Sequence, residues 1–346
     1  MEEMGAAASK NGVSIGYGTP AGPADVLAAL TAPSVTFFFA SPNPNTPKDR
    51  NLNWRISRTA LLLNAVGLVP MKDTFWTSVN EPQCQYPGLE FPTPALHAAM
   101  ATLSNGPVWI GDQVGQLNGT LARLMCRNDG LILRPNAPCT AVDAMLNFTG
   151  GGEICATFAT TAADFVAGAT GYAMGETPGW IYILWADTPS DVHVRMGVDV
   201  PGDPAQAYVA VTDGSAAPVA VAPGEAWTLP ALRARSANVS DYNRTLSWRM
   251  TRLAPRLDKF ALLGEMRLDA GASKFVAVSR QRVLNITVTD DAFQATCALA
   301  PQEPPVAITI MCDDKVGESL CTSNATEAAT RVVRCDSSCR CSCSSE

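Results

Sequence analysis

Apolar residues follow an alternating pattern of strands and helices in the first 150 residues. Short runs rich in β-branched and aromatic residues are separated there by Ala- and Leu-rich segments, which is typical of βα units. The predicted strands lie at residues 13–17, 34–41, 67–71 and 106–110, and the predicted helices at 57–66 and 95–103. We therefore predict about four βα units of a partial (β/α)₈ TIM-type barrel over residues 1–150.

From about Gly150 the pattern changes to short strands separated by turns of Gly, Pro and Asp. Five segments with partial alternation of apolar and polar positions are predicted to be strands, at residues 180–187, 191–200, 206–214, 245–253 and 274–290. This spacing predicts an antiparallel β-sandwich over residues 151–312. Residues 313–346 are rich in Ser and Cys and show no periodicity, so a disordered tail is expected there.

Composition limits the possible partners. Hydrophobic residues make up 47% of the chain and charged residues 16%, which is typical of a protein with a well-formed core. The net charge is −7 and the basic residues form no stripe, so no nucleic-acid partner is expected. The most apolar stretches, 60–69 and 180–185, are shorter than the roughly 20 residues that span a bilayer. No membrane partner is expected, and the oligomeric state is left open.

Cysteines and glycosylation sequons favour a secreted or secretory-pathway, lysosome-like location. The chain has 11 cysteines, which suits an oxidising compartment. Six Asn-x-Ser/Thr sequons, with chance tripeptides as the alternative, begin at Asn118, Asn147, Asn238, Asn243, Asn285 and Asn324. Residues 1–12 lack the apolar segment of a secretory signal. We expect a secreted protein whose true N-terminus is missing, through an incomplete gene model or truncation.

Four of the cysteines are crowded into the final segment, in a C-x₃-C-x-C-x-C pattern that begins at Cys335. This pattern could be a metal clasp, but zinc sites usually pair C-x₂-C units with a second cluster. Disulfides or free thiols are therefore favoured over a metal site. An odd number of cysteines leaves at least one thiol unpaired.

Candidate binding residues follow the predicted strands, because functional residues of a βα barrel lie at the carboxyl ends of its strands. Lys72, Asp73 and Trp76 follow the strand at 67–71 together. Carboxylates and Lys bind sugar hydroxyls, while an indole covers the apolar face of a pyranose. The alternative is a local ion pair between Lys72 and Asp73, with Trp76 in the core.

Two further candidates are Trp54 and Asp112. Trp54 follows the Pro- and Asn-rich loop after the strand at 34–41, and Asp112 follows the strand at 106–110. Both would lie near the same barrel mouth and contact a sugar. The alternative for Asp112 is an N-cap of the next helix.

Three segments resemble raffinose synthases and related proteins of the α-galactosidase clan. Residues 103–145 are similar to the segment that closes the barrel, with a G-P-V strand, an Asp and a D-G-x-x-L-R-P run. Residues 71–78, MKDTFWTS, resemble the preceding strand end, and residues 261–283 resemble the C-terminal sandwich. The resemblance implies the C-terminal half of a (β/α)₈ barrel that hydrolyses or transfers α-galactosyl groups.

The resemblance also implies incomplete catalysis. Retaining enzymes of this kind use a nucleophile and an acid/base carboxyl about 5 to 5.5 Å apart. In the clan the nucleophile lies on the fourth strand, which this chain does not contain. The clan's acid/base motif matches Ser41-Pro42-Asn43, where neither Pro42 nor Asn43 can act as a general acid. No catalytic residue is therefore assigned.

Other chemistries find little support. His97 and His193 are the only histidines, which argues against a Ser-His-Asp triad or a His-rich metal site. No phosphate-binding glycine motif occurs, and no cofactor is expected. The favoured function is a glycoside hydrolase-like protein that acts on or binds α-galactosides. The alternative is a non-catalytic secreted carbohydrate-binding or structural glycoprotein.

Overall fold

Strands dominate the structure. The computed structural model describes residues 2–11, 15–17, 35–40, 54–79, 93–147, 152–165, 179–215, 217–232, 247–267, 273–323 and 326–345. Within these ranges the chain forms eighteen β-strands and four α-helices, the first helix (α1) being Glu2–Lys10.

A small parallel sheet lies in the N-terminal part. Its strands, in sheet order, are β1 (Ile15–Tyr17), β2 (Val35–Phe39) and β3 (Val69–Met71). Two helices flank β3 in the chain, α2 (Ser57–Ala65) before it and α3 (Pro94–Leu103) after it. The local predictions of these strands and helices are thus confirmed within the described residues.

The turn between α2 and β3 shows why the chain reverses there. Gly67 has a φ of +80°, which a side chain would strain. Its N–H donates to the carbonyl of Asn64, and the N–H of Leu68 donates to the carbonyl of Leu63. This pair of bonds is a Schellman motif, and it directs the chain from the helix straight into β3.

The predicted partial TIM barrel is wrong. Beyond β1–β3, the described residues show parallel pairing only as two isolated bridges, Phe75 with Ile110 and Met196 with Val200. The segment predicted as a strand at 106–110 contains Pro107, which has no N–H for a ladder. Every ladder from β4 onward in the described ranges is antiparallel. A barrel needs each strand to pair along its length with two parallel neighbours, and that pairing is not present.

A six-stranded antiparallel sheet forms the centre of the molecule. In sheet order its strands are β4 (Thr140–Ala141), β5 (Glu153–Ala159), β6 (Trp180–Ala186), β11 (Trp248–Pro255), β8 (Tyr208–Thr212) and β9 (Val219–Val221). Every residue of β5 and β6 is buried, so both faces of the sheet are covered. The pairing of β4 with β5 and the Cys139–Cys155 disulfide both cross the predicted domain boundary at residue 150.

The two faces of this sheet pack against different partners. One face meets a two-stranded ribbon of β7 (Val192–Arg195) and β10 (Ala226–Leu229), and Ile183 lies in one cluster with Val194 and Leu229. On the other face, the hydroxyl of Tyr182 donates to the carbonyl of Val278 at 2.7 Å and accepts from its N–H at 3.0 Å. Alternate side chains of β6 therefore serve two separate cores.

Two further antiparallel sheets complete the C-terminal part. In sheet order, one contains β12 (Phe260–Gly264), β15 (Val306–Cys312) and β16 (Lys315–Cys321), and the other contains β13 (Val283–Val288), β14 (Ala292–Leu299), β17 (Ala329–Asp336) and β18 (Cys341–Ser345). The predicted single sandwich over 151–312 is thus replaced by several small sheets.

The expected disordered tail instead forms strands. Residues 313–346 contain β16, β17 and β18, and three disulfides hold them, Cys312–Cys339, Cys321–Cys343 and Cys335–Cys341. The tail has few apolar side chains to bury, so composition predicted disorder, whereas the cross-links remove much of the entropy that ordering would cost. Cys126 and Cys297 are free thiols, and Cys84 lies outside the described residues.

A buried ionic network joins three segments of the C-terminal part. Arg282 is fully buried and donates to Glu265 and, through two nitrogens, to Glu303. Burial alone would lower the pKa of Arg282, but the two carboxylates raise it. Burial alone would raise the pKa of Glu303, but the hydrogen bonds and the charge of Arg282 outweigh burial and lower it. The backbone N–H of Asn128 also donates to Glu303 at 3.1 Å, which ties the network to the segment after α4 (Gly119–Met125).

Replacing Arg282 should destabilise the fold severely. Arg282→Met leaves the carboxylates of Glu265 and Glu303 buried without their cation, and breaking such a pair typically costs about 3 to 5 kcal/mol. We expect this loss in the free energy of unfolding by urea. Arg340→Met, on an exposed arginine, is the matched control and should leave the unfolding midpoint unchanged. Equal midpoints for both variants would contradict a central role for Arg282.

Candidate functional site

The carboxyl ends of β2 and β3 bring the predicted binding residues to one edge of the parallel sheet. The register places Phe39 opposite Met71, and the N–H of Ala40 donates to the carbonyl of Met71 at 2.9 Å. The extended segment 106–111 lies beside β3, because a Cβ on Gly106 would come within 2.4 Å of the Pro70 carbonyl oxygen. We use the name β3 edge for five residues of these two neighbouring segments. Lys72, Asp73 and Trp76 follow β3, and Trp109 and Asp112 come from the segment beside it.

Lys72 is completely buried at this edge. Its Nζ donates to the main-chain carbonyl of Asp73 at 2.9 Å and lies 5.1 Å from the centre of the Phe75 ring. Burial lowers its pKa to about 7, against the opposing charge of Asp73. Lys72 therefore holds the turn after β3, and its side chain is not presented to solvent.

Asp73 and Trp76 are partly exposed and lie where a ligand can reach them. The Asp73 carboxylate accepts from the backbone N–H of Thr74 at 2.7 Å, which fixes its orientation. Trp76 packs against the main core with part of its surface. A Cβ built on Gly111 would lie 3.7 Å from Trp76 Cδ1, so Gly111 lies beside the indole.

Asp112 orders a loop and does not cap a helix. Its carboxylate accepts from the backbone N–H and the hydroxyl of Thr77, at 2.9 and 3.0 Å, and from Ser78. The helix that follows is capped by Asn118, whose side chain accepts from the backbone N–H groups of Thr120 and Leu121. The N-cap interpretation of Asp112 is therefore wrong. Its hydrogen bonds fasten two strand ends together.

Trp54 does not lie open at the edge. Its side chain is 0% exposed, and its indole N–H finds no hydrogen-bond partner in the described part of the chain. The guanidinium of Arg55 lies 5.4 Å from the centre of its ring. In this structure Trp54 is a core residue that cannot stack on a sugar.

Trp109 is the residue that sequence reasoning missed. It was placed inside the predicted strand at 106–110, yet 43% of its surface is exposed. Its ring contacts Phe39 edge to face, with centroids 5.5 Å apart, and its carbonyl accepts from the N–H of Phe75. An aromatic residue two positions before a Gly-Asp pair was the available signal.

A cleft of about 460 Å³ lies between α4 and the C-terminal sheets, and Glu265, Lys274 and Glu303 contribute to its lining. These charges are largely paired inside the protein. Both carboxylates bind Arg282, and Lys274 donates to the carbonyls of Arg123 and Cys126. The cleft is therefore better explained as the outside of the buried network than as a ligand site.

The remaining predictions concern histidines and the acid/base motif. His97 is fully buried in α3, and His193 on β7 hydrogen bonds to the Thr228 hydroxyl at 2.9 Å. Ser41, Pro42 and Asn43 lie outside the described residues.

The buried Lys72 should make stability depend on pH. The pKa of a free Lys is about 10.4, and that of folded Lys72 is about 7, so the unfolded chain binds more protons between these values. The free energy of unfolding should therefore rise from about pH 7 to pH 10, by up to about 4 kcal/mol.

Lys72→Met should abolish this rise, measured by urea unfolding across that pH range. The exposed Lys315 offers a matched control, and Lys315→Met should retain the rise. A pH profile that is the same in both variants would show that Lys72 is not the responsible group.

Neither the composition of the chain nor its comparison with known proteins assigns a function, so the geometry of the structure is the basis for one. No described helix is long and apolar enough to cross a membrane, and the described residues contain no cluster of His, Cys, Asp or Glu suited to a metal ion. The four disulfides are consistent with the extracellular space or the secretory pathway. Neither a protein-family model nor a curated protein matches the chain.

Proposed function

We propose that this chain is a glycoside hydrolase-like protein that binds an α-galactoside-type carbohydrate at the β3 edge. The observation that carries the proposal is the placement of the exposed Trp109 and the partly exposed Trp76 and Asp73 on adjacent strand ends. The segment after β3 and the segment that contains Trp109 lie side by side, although they are more than 30 positions apart in the sequence. The sugar class comes from the resemblance of residues 71–78 and 103–145 to the α-galactosidase clan.

The chemistry of this edge suits a sugar. Galactose has an apolar face formed by its C–H groups and hydroxyls around its rim, so it favours a site with an aromatic surface and a few polar groups. Trp109 offers the aromatic surface, and the Asp73 carboxylate can accept hydrogen bonds from hydroxyls. Asp112 serves indirectly, because its bonds to Thr77 and Ser78 hold the loop that follows Trp76.

In this proposal, the chain binds its carbohydrate ligand and does not hydrolyse it by the retaining mechanism. Retaining hydrolysis needs two free carboxyl groups in nucleophile and acid roles, whereas Asp112 is occupied by its loop. Lys72 is buried beneath the edge and cannot replace the missing acid. Asp73 is therefore the carboxylate of this edge that we expect to bind the sugar, in addition to the hydrogen bond it accepts from Thr74.

A second candidate is a structural glycoprotein of the extracellular space or of a lysosome-like compartment. It is favoured by the three disulfides that fasten the C-terminal strands, which suit a protein exposed to proteases and oxidants. This candidate predicts no affinity for free galactosides, so the binding experiment separates the two.

Binding should depend on Trp109 and Asp73. By calorimetric titration with methyl α-galactoside and raffinose, we expect Trp109→Ala and Asp73→Asn each to weaken affinity about tenfold or more, as losing one stacking or charged contact typically costs 1 to 3 kcal/mol. Leu320→Ala and Asp291→Asn, on exposed side chains of the C-terminal sheets, are matched controls that should bind normally. Absence of galactoside binding by the unaltered, folded chain would contradict the proposal and favour the structural role.

The purified chain should also leave a chromogenic α-galactoside intact. The physical reason is that Asp112, the second described carboxylate of the β3 edge, is held by Thr77 and Ser78, so we expect no nucleophile and acid pair there. Release of the chromophore that disappears in Asp73→Asn would show that the chain has a working catalytic site. Release that persists in that variant would point to a contaminating enzyme.

A further inference from the structure

Strand β13 carries a glycosylation sequon on its outward face. Asn285, Ile286 and Thr287 form an Asn-x-Thr acceptor within this strand. Asn285 and Thr287 are exposed, while Ile286 is partly buried and packs against the main core. The alternation of side chains along a strand explains this arrangement, and it directs the acceptor amide to solvent.

The same strand has a partly open edge. β13 is the terminal strand of its sheet, and β14 occupies one side of it. On the other side, the carbonyls of Val283 and Leu284 accept from the N–H groups of Ala162 and Ala163, both at 2.9 Å. From Asn285 onward, the described part of the chain supplies no second backbone partner. Such an open edge can pair with another chain unless something blocks it.

The disulfides provide an independent indication of the compartment. Four disulfides form in the described residues, and disulfides persist in the oxidising secretory pathway, where Asn-x-Ser/Thr acceptors are modified. Asn118, the other described sequon side chain, lies in a different setting, because its carbonyl oxygen caps α4. In the described residues, Asn285 makes no corresponding bond.

We propose that Asn285 carries an N-linked glycan that shields the open half of the β13 edge. In the reaction, the side-chain Nδ2 forms a bond to the anomeric carbon of a lipid-linked oligosaccharide and loses a proton. The bond from that carbon to the lipid pyrophosphate breaks, and the lipid pyrophosphate leaves. The bulky, hydrated glycan then stands beside the backbone groups of residues 285–288, which among the described residues bond only to β14, and excludes a second strand. This proposal does not depend on galactoside binding at the β3 edge.

Site occupancy can be tested with a matched pair of variants. The full chain, directed into a eukaryotic secretory pathway by an added signal, would be analysed by peptide mass spectrometry before and after enzymatic removal of N-glycans. Thr287→Ser retains the acceptor motif and should keep the glycan on Asn285, whereas Thr287→Ala and Asn285→Gln should lose it completely. An unmodified Asn285 in both the unaltered chain and Thr287→Ser would overturn the proposed modification.

The shielding role has its own measurement. Light scattering after size-exclusion chromatography should show concentration-dependent association of Thr287→Ala and Asn285→Gln, while Thr287→Ser remains like the unaltered chain. Removal of the glycan from the native, folded protein should produce the same association without any substitution. A glycosylated Asn285 whose loss leaves the mass distribution unchanged would overturn the shielding role.

Discussion

The fold depends on the pairing of one buried cation. Arg282 lies at the start of β13 and is fully buried, and a buried guanidinium is tolerated only with charged partners and satisfied donors. Glu265 comes from the end of β12 and Glu303 from the connection between β14 and β15. Arg282 directly precedes β13 of one sheet, Glu265 directly follows β12 of the other, and Glu303 lies in the connection between the two sheets. Satisfying Arg282 therefore sets how those sheets meet.

The six-stranded sheet contacts the segment that leads to Arg282 and so connects the ionic network to other parts of the molecule. Tyr182 on β6 is hydrogen-bonded to both backbone groups of Val278, four residues before Arg282. The opposite face of β6 is covered by β7 and β10. A strand that is buried on both faces is largely apolar, and β5 and β6 fit this description. Glu153 is an exception, and its buried carboxylate accepts a hydrogen bond from the N–H of Ser57 at the start of α2.

Residues of the β3 edge that look alike in the sequence have different roles in the structure. Lys72 and Asp112 are charged residues next to strand ends, yet one is buried under the turn and the other fastens two loops. Asp73 and Trp109 retain exposed surface that a ligand can use. The proposed sugar site and the proposed glycan on Asn285 are therefore separate features, on different sheets of the molecule.

Local patterns in the sequence determined much of the secondary structure. The apolar run at 34–41 and the Ala- and Leu-rich stretch at 57–66 predict β2 and α2, because these patterns depend on neighbouring residues only. Gly67, which was placed in the predicted strand at 67–71, instead forms the turn before β3. The sequence also placed Lys72 and Asp73 directly after β3. Its cysteine spacing favoured disulfides over a metal clasp for the final segment.

Only the tertiary structure decided the pairing of strands and the exposure of side chains. A short apolar strand does not show how many neighbours it pairs with, so a barrel was predicted over residues 1–150, where the described parallel sheet ends after three strands. Trp54 and Trp109 are both indoles in the N-terminal part of the chain, but one is buried and the other is open to solvent. That difference depends on which distant segments cover each indole, and contacts between distant segments leave no periodic signal in the chain.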